Sequence, residues 1–229
     1  MFRSKSFNIN NRSVGFGPLT RSKSCTDMYT TLVNMKTFIT IKEVSPEEAF
    51  YATEKMLTET MAEDWFYFDF LKLDKEQERW KMRYNQAVSI LNCLSTNAKI
   101  QSMRDKTDGS KKFFAVAYFR GIPVGALQLL VQDNHENELP EVSFLATHCG
   151  IRGCGVLLIE YAVNKSQQLG MEGKLKLSPY DEARQAYINM GFMNINGGME
   201  LHPAARNDKW KWNKITSRYE CCQIFGAIH

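Results

Sequence analysis

The chain has 229 residues, 44% of them hydrophobic and 24% charged, an ordinary balance for a globular protein and enough length to bury a core. Its net charge of +4 is too mild to single out a nucleic-acid partner, and no apolar run is long enough to span a bilayer. No apolar signal-peptide segment follows the first residues. The six cysteines form no C-x-x-C pair, so they read as reduced thiols and no metal site is expected.

Residues 1 to about 35 are rich in Ser, Asn, Thr, Arg and Lys, as in Arg3-Ser4-Lys5-Ser6 and Arg21-Ser22-Lys23-Ser24. Too little apolar surface is available there to offset the entropy of ordering, and the segment reads as a disordered tail. Phe38 to Ile41 reads as a strand. Ser45-Pro46-Glu47-Glu48 then starts a helix, with Ser45 as N-cap, Pro46 at the first helical position and Glu48 completing a capping box. That helix is expected to run to about Ala62. The aromatic cluster Trp65 to Phe70 follows, as core or as the floor of a substrate groove, and a polar amphipathic helix runs from about Lys75 to Leu94.

The second half alternates strands and helices. Phe113 to Phe119 and Val124 to Gln132 form a hairpin through Arg120-Gly121-Ile122-Pro123. Glu141 to Thr147 is the third strand, and a glycine turn leads into a helix from about Gly153 to Leu169. Lys174 to Leu177 gives a short strand, Asp181 to Met190 a helix ended by Gly191, and Phe192 to Leu201 a final strand. The class is mixed α/β, antiparallel strands first and then a β-α-β-α-β close. A domain over 36–205 is expected, followed by an extension over 206–229 that carries Trp210-Lys211-Trp212 and Cys221-Cys222.

The stretch Thr147-His148-Cys149-Gly150-Ile151-Arg152-Gly153-Cys154-Gly155-Val156 joins the third strand to its helix. The first N–H groups of a helix lack intrahelical partners and lie at the positive end of its dipole, where an anion binds. Gly153 and Gly155 would let a phosphate approach the backbone closely. Backbone groups of Leu145, Ala146 and Thr147, at the end of the strand, could pair with an amide-bearing ligand as though it were another strand.

Three motifs in this order resemble the GNAT acyltransferase superfamily. Arg120-Gly121-Ile122-Pro123-Val124-Gly125 is similar to that family's hairpin, and Gly150-Ile151-Arg152-Gly153-Cys154-Gly155 to its pyrophosphate loop, (Arg/Gln)-x-x-Gly-x-(Gly/Ala). Ala183 to Phe192 is similar to its Ala-x-x-x-Tyr-x-x-x-Gly-Phe signature. The resemblance covers about Phe113 to Leu201, with Thr37 to Ala62 similar to the family's opening strand and helix. It implies a central mixed sheet flanked by helices, a splayed strand pair at the cofactor site, and acetyl-CoA as cofactor. It places Arg152, Gly153, Cys154, Gly155 and Val156 around the pyrophosphate and gives Tyr187 the role of protonating the leaving thiolate. Two positions depart from the family: Gly150 stands where Arg or Gln is usual, leaving Arg152 as the nearest cation, and Tyr180 stands where Asn is common.

Acyl transfer from a thioester to an amine also needs a base. Glu141 shares a strand face with Ser143 and Leu145 by period-two alternation, and His148 is a rival with a side chain that titrates near neutral pH. The alternative for His148 is a turn residue bonded to backbone; for Glu141, a solvated edge residue. Cys149 and Cys154 suggest an acyl-cysteine route, against which small buried thiols filling a tight turn are the simpler reading. Function divides between an acetyl-CoA-dependent N-acetyltransferase and an acyl-CoA-binding or interaction module without turnover. The acceptor is an amine on a protein or a small molecule, and the N-terminal tail tips the expectation toward protein. That Ser- and Asn-rich, acid-poor tail resembles the export signals of bacterial type III secreted effectors, so the expected location is the cytoplasm, or a host cell after secretion.

Overall fold

A computed structural model describes residues 5–6, 22–23, 38–61, 75–103, 109–132, 138–151 and 153–222. The aromatic cluster Trp65 to Phe70, Arg152 and most of the N-terminal tail lie outside the described residues. Strand β1 (Ile39–Val44) leads into α1 (Pro46–Lys55), whose last turn widens into a π turn over Met56–Thr60. The long α2 (Lys75–Ser102) returns across the sheet. It runs past Leu94 because the apolar stripe Ala87, Leu91, Leu94 continues at helical spacing to the buried Ala98.

Next come β2 (Ser110–Phe119), β3 (Ile122–Gln132) and β4 (Glu141–Thr147), then α3 (Cys154–Gln168), β5 (Leu175–Leu177) and α4 (Asp181–Asn189). The stretch Phe192 to Leu201 is not one strand. It is a hairpin, β6 (Met193–Ile195) and β7 (Gly198–Leu201), reversed at Asn196-Gly197 with φ of 49° and 85°. Asn-Gly is the pair that most readily adopts such a left-handed two-residue turn. The main sheet has seven strands in the order β1-β2-β3-β4-β5-β7-β6, and only the β4–β5 neighbours run parallel. This is the expected mixed α/β arrangement, a central mixed sheet flanked by helices.

Each face of the sheet buries its own core. On one face, Phe114, Val116, Ala126 and Ala146 pack against Ala49, Ala52 and Met56 of α1 and its π turn, and against Leu91 and Leu94 of α2. On the other, Ala115, Leu127, Leu129 and Val142 pack against Leu158, Ile159, Ala162 and Val163 of α3. The alternation of β-strand side chains divides these sets.

Of the expected C-terminal extension, the described stretch 210–221 packs on this second core. Strands β8 (Trp210–Asn213) and β9 (Arg218–Cys221) form a hairpin against α3. Trp210 is 1% exposed, and its indole N–H donates to Met190 O at 2.8 Å. Asn164 of α3 pairs with the hairpin backbone in both directions, donating to Tyr219 O and accepting from Tyr219 N–H. A boundary at residue 205 would strip a buried Trp from the core, a fact that local sequence pattern does not carry.

Candidate functional site

Strand β4 pairs with β3 along its length, but with β5 only at Glu141↔Lys176. Beyond Glu141 the ladder to β5 ends, so the edge of β4 that leads to Thr147 faces a gap between the two strands. The register of β3 and β4 also slips between Gln128 and Leu129, leaving Ser143 as an extra residue on β4. Such a bulge reverses the alternation locally. Val142 and Leu145 therefore face the α3 core, whereas Phe144 and Ala146 face α1 and α2. Glu141 does not share a face with Leu145, contrary to the period-two expectation. It stands opposite Val142, on the α1/α2 side.

At the far end of β4, the chain turns through His148 to Gly153 and enters α3. Gly153 is the N-cap residue with φ of 80°, a left-handed conformation that glycine adopts without strain. No side chain caps this helix, and its first turn carries no acidic residue. A methyl added at Gly155 would lie 3.8 Å from a Leu145 methyl and 3.9 Å from the Thr147 methyl, ordinary contact distances. The structure thus brings Leu145, Thr147, Gly153 and Gly155 together at the open end of the gap. Ala146, which belongs to the same strand end, turns its side chain into the other core. Cys154 and Val156 are buried on the underside of the helix, so any contribution of theirs to a ligand is through backbone N–H.

Gly125 of β3 explains how α3 comes so close. A methyl there would meet Cys154 Sγ at 3.0 Å and Leu158 and Thr147 carbons at 3.2 Å, so only a bare backbone admits the helix start. The Cys154 thiol is fully buried, and burial pushes it up to about 12. It remains a neutral thiol and fills the turn. This removes the acyl-cysteine route for Cys154.

His148 is 0% exposed. Its Nδ1 accepts from Gly150 N–H at 3.0 Å, which leaves the ring proton on Nε2, 2.7 Å from Thr60 O. Its backbone N–H donates to Val124 O, and its carbonyl accepts from Ile151 N–H. A ring with both nitrogens committed inside the protein cannot take a proton from a substrate amine, and the expectation of His148 as a base is corrected on that ground. Gly150, in turn, spends its N–H on His148, which holds the loop from within.

Glu141 keeps an accessible carboxylate, 3.8 Å from the Lys176 ammonium that also binds Glu138. Tyr187 stands on α4, half-buried, with its ring edge-on to Phe192 at 5.5 Å. Burial pushes its hydroxyl up to about 12, so it holds its proton throughout the neutral range. One group escaped the sequence reading. Gln128 of β3 is 2% exposed, lies on the α1/α2 face opposite Phe144, and has no partner for Oε1 among the described residues. Its only signal was a lone amide in the apolar run Val124 to Val131.

No family model matches the chain, and no curated protein matches it. Solved structures do. The PaiA N-acetyltransferase of Thermoplasma acidophilum, in complex with coenzyme A, is 15% identical, with 72% of this chain and 98% of that chain covered and a TM-score of 0.41. A tandem GNAT protein from the clavulanic acid biosynthesis pathway is 14% identical over 69% of this chain and 45% of that one, with a TM-score of 0.45. The GNAT-family acetyltransferase of Streptococcus pneumoniae is 16% identical over 71% and 98%, with a TM-score of 0.40. These are the proteins the chain is similar to.

Proposed function

We propose that the chain is an acetyl-CoA-dependent N-acetyltransferase. One observation carries the reading: the strand edge of β4, without a β5 ladder past Glu141, ends at a helix whose N-terminus has neither a cap nor an acid. An unpaired strand edge suits an amide-bearing arm, and an open helix N-terminus suits a pyrophosphate. Coenzyme A has both. The N–H groups from Gly153 to Val156 would hold the phosphates, and the backbone of Leu145 to Thr147 would pair with the arm.

The roles of the remaining residues follow from what transfer requires. The amine attacks the thioester carbonyl, loses a proton, and releases a thiolate that must be protonated. Tyr187 supplies that proton as a hydroxyl that stays neutral in the working range, and Glu141, on the α1/α2 side, takes the proton of the amine directly or through water. The acceptor is a primary amine, on a protein or on a small molecule. A binding module without turnover would have the same cleft and no use for the Tyr187 hydroxyl.

Calorimetry with coenzyme A, followed by mass spectrometry of a cell lysate incubated with the protein and acetyl-CoA, tests the reading. Binding together with new acetylated amines is the expected result. Tyr187→Phe keeps the ring against Phe192 and should lower turnover by about 10²-fold or more, with a smaller effect on the Michaelis constant for acetyl-CoA. Full activity of that variant would return Tyr187 to a packing role, and absence of coenzyme A binding would reject the enzyme reading altogether.

A further inference from the structure

The imidazole of His148 joins two parts of the molecule that are 88 residues apart in the chain. On one side, Nδ1 fixes Gly150 and with it the loop that opens α3. On the other, Nε2–H bonds Thr60 O in the π turn that ends α1. That carbonyl belongs to a widened turn in which Met61 N–H reaches back to Met56 O, and the next carbonyl, of Met61, accepts from the Tyr84 hydroxyl at 2.8 Å. The His148–Thr60 bond is buried and the other two are partly buried, and shielding from water strengthens such bonds.

We infer that His148 is a positioning residue that couples the cofactor loop to the end of α1, so that an occupied glycine loop steadies the π turn over Met56–Thr60. This rests on the reading of the loop as a coenzyme A site. Through Gly150, the ring sets the loop that the phosphates would contact. Through Thr60, the same rigid ring carries any change in the loop's freedom to the π turn. An aromatic ring with a proton fixed on one nitrogen suits this task, because it transmits position without bending between its two bonds.

The two bonds can be cut separately. In His148→Asn, the side-chain oxygen occupies the place of Nδ1 and can still accept from Gly150 N–H, but nothing reaches Thr60. In His148→Gln, the amide nitrogen occupies the place of Nε2 and can still donate to Thr60 O, but Gly150 loses its acceptor. Two measurements are made with coenzyme A on the full chain: affinity by calorimetry, and hydrogen exchange of the peptide covering 56–61 with and without ligand. In the unaltered protein, coenzyme A should slow exchange in that peptide.

The Asn variant should bind coenzyme A within about threefold of the unaltered protein yet lose the slowing at 56–61, and the Gln variant should lose about tenfold in affinity yet show the slowing when saturated. A purely structural histidine would make the two variants behave alike, and that result overturns the inference. So does an Asn variant that still slows exchange. Should either variant fail to fold, the nitrogen resonances of the unaltered His148 ring decide: they should move when coenzyme A is added, and unmoved resonances in a protein that binds it refute the coupling. A chain that does not bind coenzyme A at all overturns the cofactor reading first, an outcome distinct from binding without coupling.

Discussion

The helices α1 and α3 both begin beside the central sheet, and they finish their N-termini in opposite ways. At α1, Ser45 Oγ accepts from Glu48 N–H at 3.1 Å, and the Glu48 carboxylate accepts from Ser45 N–H at 3.1 Å. Glu47 and Glu48 add negative charge where the dipole favours it. That end needs nothing from outside. At α3, the cap is a glycine, the first turn has no acid, and Gly155 offers no side chain. The α4 helix lies between these cases, with no side-chain cap but with Asp181 and Glu182 in its first turn. The N-terminus of α3 thus carries neither a side-chain cap nor an acid, and it lies beside the end of β4, whose ladder to β5 stops at Glu141.

An open N-terminus can persist because the rest of α3 is held. Glu160 and Asn164 bond the β9 backbone, Ser166 donates to Lys174 O at 2.7 Å, and Lys165 pairs with Glu43 of β1 at 2.9 Å. Removing that support should have the largest effect. Trp210→Ala deletes a buried indole and its bond to Met190 O, and should cost about 3–5 kcal/mol of stability in urea unfolding. A cost near zero would mean that the hairpin does not support the helix.

Next in size is a change that gives α3 the acid α1 already has. Gly155→Asp places a carboxylate where Glu47 stands in α1, in a position with room for a side chain. The fold should be unaffected or slightly stabilised, while coenzyme A affinity should fall by about 10²-fold or more, since like charges then meet at the phosphates. Unchanged affinity by calorimetry would break the comparison. Gly153→Val is a poorer probe, because its φ of 80° would strain a β-branched residue whether or not a ligand binds.

The converse change at α1 is smaller. Ser45→Ala should lower stability by about 1 kcal/mol and leave coenzyme A affinity alone, since that cap serves only the helix. Smallest of all is removal of the tail: a chain starting at Met35 should match the full chain in melting temperature and in coenzyme A affinity. A loss in either would show that the tail packs on the domain, and the expectation of an export signal would lose its main support.

Much of this was legible because it is local. The Ser45 capping box, the α3 turn glycines, the strand limits Glu141 to Thr147 and the end of α4 at Gly191 follow from caps, turns and periodicity, which depend on residues a few positions apart. Apart from the Asn196-Gly197 turn that splits Phe192 to Leu201 into a hairpin, what the sequence did not disclose depends on partners far along the chain. The bulge at Ser143 exists only against β3 and moves Glu141 to the other face of the sheet. The hairpin of Trp210 to Cys221 looked like an appendage because its partners, Met190, Glu160 and Asn164, are distant in sequence. His148 could be read as a base until Thr60 O and Gly150 N–H were seen to take both of its nitrogens. Sequence by itself determined most of the helices and strands up to α4 and where a helix start carries no cap or acid. Tertiary structure decided which polar groups remain available, because burial and hydrogen bonding between remote residues determine whether a titratable side chain can reach a substrate.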